Sequence, residues 1–116
     1  MSAARWDPCA VSGALAAYIA GGSNPVATND KFTFATEGLS TPGAAALSVA
    51  RAGVGGGSDG TATGYYIGGS TAAGIKPTTN PSVIADKLTI STDTVAAVSG
   101  ANLPTATMVA GGSFGG

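Results

Sequence analysis

The chain has no histidine, a single cysteine and a single tryptophan, and only 9% of its 116 residues are charged. Each shortage excludes a class of protein. Without histidine the commonest general base and metal ligand is missing. Cys9, alone, can form neither an internal disulfide nor a zinc site nor a Cys–His pair, and reads as a small apolar side chain. Five Lys plus Arg stand against six Asp plus Glu, a formal net charge of −1. No basic stripe of the kind phosphate backbones require is present, so no nucleic acid is expected as a partner. Residues 11–20 are mildly apolar but too short to span a bilayer. Asp7 and Pro8 precede a weak, glycine-broken apolar stretch, a poor secretory signal. Neither a membrane nor a signal peptide is therefore expected. So little charge also implies that much of the surface is covered in an assembly.

Apolar residues make up 44% of the chain, and its 19 glycines are clustered rather than dispersed. That combination favours a folded β protein over a disordered one. Tyr65, Ile67, Leu88 and Ile90 alternate with smaller residues at period two, as half-buried strands do. Gly21-Gly22 and Gly68-Gly69 end strands where the backbone must turn sharply or approach a neighbour closely. No stretch of a dozen residues carries a helical apolar stripe uninterrupted by glycine or proline. The expected fold class is all-β.

The chain repeats itself. Arg5 matches Arg51, and Ala17-Tyr18-Ile19-Ala20-Gly21-Gly22-Ser23 matches Tyr65-Tyr66-Ile67-Gly68-Gly69-Ser70. The run from Asn29-Asp30-Lys31 to Glu37 matches the run from Ala85-Asp86-Lys87 to Asp93. Ala45-Ala46-Leu47 then matches Ala101-Asn102-Leu103. Residues 105–113 match residues 50–58, as though a third copy began. The domain is therefore divided into residues 1–49 as a first unit, 50–104 as a second, and 105–116 as an extra first strand or tail.

These landmarks resemble the kelch motif, in which an Arg opens the first strand and the second strand ends Tyr-x-x-Gly-Gly. Arg51, Tyr65, Gly68 and Gly69 carry the resemblance, and it covers nearly the whole chain. The family's tryptophan in the last strand is missing: residues 96–98 and 42–44 stand near its place. The resemblance implies two degenerate four-stranded propeller blades. With their Asp-Lys-x-Thr and Ala-Asn-Leu runs, these look like the repeats of bacteriophage virion proteins.

Propellers close with about four to eight blades, so two blades are expected to close by association with further copies. A trimer, giving six blades, is the favoured state over a tetramer. Residues 105–113 read as a better first strand than residues 5–13, which Trp6, Asp7 and Pro8 interrupt. The expectation is that the C-terminal strand of one subunit completes the first blade of the next, with Thr105, Thr107, Met108, Val109 and Phe114 at the subunit interface. A rival arrangement keeps residues 5–13 in place and sends 105–116 to another protein.

Catalytic chemistry is not expected. Asp7, Asp30, Glu37, Asp59, Asp86 and Asp93 are spaced by the repeat, not gathered. Asp30-Lys31 and Asp86-Lys87 read as equivalent positions serving turns or local ion pairs. Gly55-x-Gly57-x-x-Gly60 matches a dinucleotide fingerprint in form only, since a strand and not a helix follows it. A calcium ion at Asp59 or Asp93 lacks the usual ligand run. No cofactor or metal is expected. Most aromatics read as core, leaving Trp6 and Tyr66 as candidate ligand contacts. The expected role is a non-enzymatic structural virion protein, a head decoration or tail accessory, assembled in the host cytoplasm and bound to its own copies and other virion proteins. The alternative is a lectin-like propeller that binds cell-surface glycan.

Overall fold

In a computed structural model the described residues are 1–72 and 80–105. They form eight strands in two four-stranded antiparallel sheets, each a simple up-and-down meander. The first sheet contains β1 (Cys9–Ser12), β2 (Ala16–Ala20), β3 (Asn29–Thr33) and β4 (Gly38–Ser40). The second contains β5 (Gly55–Ser58), β6 (Thr63–Ile67), β7 (Ala85–Thr89) and β8 (Thr94–Ala97). A single 3-10 turn follows each sheet, at Gly43–Ala45 and Ser99–Ala101. The chain is all-β, as its interrupted periodicity requires.

Strand pairing aligns the two sheets residue by residue. Ala20 faces Asn29 across β2–β3, and Ile67 faces Ala85 across β6–β7. Thr33 faces Gly38 in the first sheet, and Thr89 faces Thr94 in the second. Asp30 thus corresponds to Asp86, Lys31 to Lys87, and Glu37 to Asp93. Glu37 and Asp93 both take a left-handed backbone, φ 51° in each, at the same place in the strand-to-strand turn. The register also corrects one sequence match. Tyr18 is the counterpart of Tyr65, and Ile19 of Tyr66, because the Gly-Gly pairs align as Gly21 with Gly68 and Gly22 with Gly69.

The sheets pack face to face. Cys9, Val11, Ala16, Tyr18 and Ala20 project from the first sheet, and Tyr66 and Leu88 from the second, into one buried cluster. Gly56 and Gly64 let the sheets come this close. A Cβ at Gly56 would lie 2.2 Å from Cys9 Sγ, and one at Gly64 would lie 2.8 Å from Val11 Cγ2. Burying a side chain such as Leu88 contributes about 1.5–3 kcal/mol. One expectation from alternation is reversed here. Leu88 points inward with Tyr66, whereas Tyr65 and Ile67 lie on the opposite, half-buried face.

The first strand of the first sheet is Cys9–Ser12 of the same chain, paired with β2 from Cys9↔Ala20 to Ser12↔Ala17. The expected strand donated by a neighbour is therefore not needed at that position. Trp6, Asp7 and Pro8 only delay β1 until Cys9. Asp7 adopts φ 54°, a turn conformation that asparagine and aspartate tolerate better than most residues. Of the interface candidates, Thr105 is exposed, while Thr107, Met108, Val109 and Phe114 lie outside the described residues.

Candidate functional site

The most elaborate polar structure is built twice, where the segment leading into each sheet crosses the β2–β3 or β6–β7 connection. Gly68 and Gly69 adopt φ 68° and 89°, and a Cβ on Gly69 would lie 2.7 Å from Ala52 O. Only glycine passes there without strain. The turn leaves the carbonyls of Gly68 and Ile84 facing inward. Arg51 Nη1 donates to both, at 2.7 and 2.9 Å, and its Nη2 donates to Asp86 Oδ2 at 2.5 Å. Neither side chain of this ion pair is exposed. In the first sheet Arg5 Nη1 donates to Gly21 O and Thr28 O at 3.1 and 2.8 Å, and Nη2 pairs with Asp30. The expected equivalence of Asp30 and Asp86 holds. Their ion-pair partners, however, are distant arginines, not neighbours in sequence.

The two stations differ at the carboxylate. Asp30 Oδ1 accepts from Thr41 Oγ1 at 2.7 Å, and Oδ2 also accepts from the backbone N–H and hydroxyl of Ser2. Asp86 Oδ2 accepts from Ser48 N at 3.1 Å, but its Oδ1 is buried without a partner. By strand register Ala97 occupies the place of Thr41, so the missing donor is a missing hydroxyl. Burial raises the Asp30 carboxyl, but the Thr41 and Ser2 hydrogen bonds and the Arg5 charge outweigh it and hold it at about 2. Since the folded state prefers the carboxylate, this contribution is complete above the ordinary value of 3.8. It is lost as pH falls from there toward 2, amounting to about 2 kcal/mol. Urea midpoints recorded from neutral pH downward should hold until about pH 4–5 and then fall steeply. In Asp30→Asn that acid limb should shrink.

A second polar cluster joins the sheets. Tyr18 OH donates to Asp93 Oδ1 at 2.5 Å, and Lys31 Nζ reaches both Asp93 oxygens at 2.9 and 2.8 Å. The same ammonium lies 5.8 Å from the Tyr18 ring centroid. Burial chiefly, then the Asp93 carboxylate, pushes the Tyr18 phenol up, so the hydroxyl remains a donor. Nearby, Asn29 Nδ2 donates to Ala45 O and to Tyr66 OH at 3.1 and 3.0 Å. Tyr66 is completely buried. It is a cross-sheet anchor, and its side chain is not presented to a ligand.

Trp6, the other ligand-contact candidate, is 69% exposed. Tyr66 is in the core, so the two do not form one pocket. A shallow groove runs beside the lead-in segment, lined by Ser2, Arg5, Ser23, Asn24, Val26 and Thr28. Its guanidinium is already committed to Asp30 and two carbonyls. Asp59, considered for calcium, accepts the N–H groups of Thr61, Ala62 and Thr63 on Oδ1 at 2.8–2.9 Å, closing the β5–β6 turn. Asp93 is taken up by Lys31 and Tyr18. Among the described residues no three Cys, Asp or Glu side chains gather to hold a metal. Burial pushes the Cys9 thiol up to about 11, against a smaller pull from Arg51, leaving little thiolate to react.

What the described surface offers is therefore two sheet faces. The outer face of the first sheet carries Ala17, Ile19 and Phe32 half-buried, with Phe34 and Leu39 43% and 44% exposed. Phe32 and Phe34 meet edge to face with centroids 6.1 Å apart. No helix among the described residues is long and apolar enough to cross a membrane. No family model matches the chain, and no curated protein matches it.

Proposed function

We propose that the chain is a non-enzymatic structural building block: a kelch-like pair of propeller blades that associates with further copies and serves as a virion component, a head decoration or tail accessory. The observation that carries this reading is the exposed apolar outer face of the first sheet, centred on Ile19, Phe32, Phe34 and Leu39. Monomers rarely leave a sheet face of that kind in water. Two further features support it. The polar stations hold sheets and connections together, and among the described residues no set of acid, base and nucleophile gathers at a cleft. The resemblance to kelch-type repeats of phage virion proteins supplies the setting, with six blades favoured.

Two measurements test the reading. Light scattering on the full chain should give a multiple of its 11.0 kDa mass, three-fold for the favoured state. A monomer at all concentrations overturns the oligomer. Mass spectrometry of gradient-purified particles from a culture producing the protein should find it in many copies per particle. Abundance in the lysate with absence from particles overturns the virion assignment.

A further inference from the structure

Resting on that reading of the chain as an associating unit, we infer that its partner surface is a head-to-tail one. The outer face of the second sheet in one copy docks on the outer face of the first sheet in the next, with Lys87 pairing to Glu37. The internal packing provides the template. Within the chain, the inner face of the first sheet sits on the inner face of the second, and Lys31 bridges to Asp93. By strand register, the outer face of the second sheet is the repeat counterpart of the first sheet's inner face. The outer face of the first sheet is likewise the counterpart of the second sheet's inner face. The packing operation that joins the two sheets can thus be applied once more, and its mate is carried by a second copy.

The residues at these positions match that operation. Lys87 corresponds to Lys31 and is exposed; Glu37 corresponds to Asp93, is exposed and shares its φ of 51°. Among the described residues the only salt bridges are Arg5–Asp30, Lys31–Asp93 and Arg51–Asp86, so neither Lys87 nor Glu37 is in one. Small and large residues also exchange sides consistently. Within the chain, Cys9 and Val11 press on Gly56 and Gly64. At the outer faces Gly55 and Gly57 hold the places of Cys9 and Val11, while Ala10 and Ala17 hold those of Gly56 and Gly64. Bulk removed from one surface is returned by the other. Such an interface is heterologous, so it generates a ring where the rotation closes and a filament where it does not.

Charge reversal tests the pairing. Sedimentation velocity over a concentration series should show the wild-type full chain associating. E37K and K87E should each bind their own copies at least about tenfold more weakly, since like charges then meet at the contact. An equimolar mixture of the two variants should recover pairwise association, because a contact between unlike variants is again Lys to Glu, although a three-fold ring of the two would still carry one like-charge contact. The double variant E37K/K87E, which keeps the wild-type net charge, should also associate. Both sites are exposed, and far-UV circular dichroism should confirm that each variant keeps its sheets. If the wild type associates and single variants associate equally well, or neither the mixture nor the double variant recovers association, this interface is wrong while the oligomeric reading stands. If the wild type stays monomeric throughout, both fall.

Discussion

Replacing Arg51 with methionine is expected to lower stability by about 3–5 kcal/mol, the usual effect of stranding a buried charge. Asp86 would keep only the Ser48 N–H, since its Oδ1 already lacks a partner. The Gly68 carbonyl would lose the Arg51 donor as well, and the Ile84 carbonyl would keep only the Gly68 N–H. Against a typical total stability of about 5–15 kcal/mol, such a loss brings the chain close to unfolding. Urea denaturation monitored by circular dichroism measures it, with unchanged slope as the sign that only stability moved. Arg51→Met combined with Asp86→Leu should recover most of the loss, because no charge is then left desolvated. Arg5→Met should cost less than Arg51→Met, since Asp30 retains donors from Ser2 and Thr41. Equal losses at the two arginines would show that these extra donors carry no weight.

The second large effect is steric. Gly56→Val should destabilise by about 3 kcal/mol, the upper end of ordinary overpacking. Its Cβ alone would stand 2.2 Å from Cys9 Sγ, 3.0 Å from Val11 Cγ1 and 3.3 Å from Ala10 O. Relief requires either β1 or β5 to retreat, which separates the sheets along their closest line. Gly43→Ala is the matched control. Nothing lies within 4 Å of its added Cβ, and its change should stay within about 0.5 kcal/mol. Thermal melts of both variants decide the matter. Indifference at Gly56 would mean that the sheets do not meet closely there.

The all-β class, the two-fold repeat and the equivalence of Arg5 with Arg51 and of Asp30 with Asp86 were legible from residues alone. These depend on local properties: glycine and proline interrupt any helical stripe, and a repeated turn needs the same residues at the same spacing. Other features were less legible. The Tyr65-Tyr66 pair offers two adjacent aromatics of nearly equal hydrophobicity. A one-residue slip moves every side chain to the other face, so composition cannot choose which one is buried. Cross-strand register made the choice, placing Tyr66 beside Gly64 and Leu88 and sending Tyr65 outward. β1 was obscured by Trp6, Asp7 and Pro8, whose poor strand propensity hid that pairing begins only three residues later.

By itself the sequence determined the kind of element, the punctuation by Gly-Gly and Asp-Lys, and the poverty of catalytic groups, since each follows from residue type and spacing. Only the tertiary structure decided what each charged group meets. Lys31 and Asp93 are far apart in the chain and come together across two sheets; Arg51 reaches Asp86 through a turn that two glycines open. Partners of that kind are set by packing geometry, which is non-local. The same geometry leaves Lys87 and Glu37, the repeat counterparts of Lys31 and Asp93, exposed, one on each sheet.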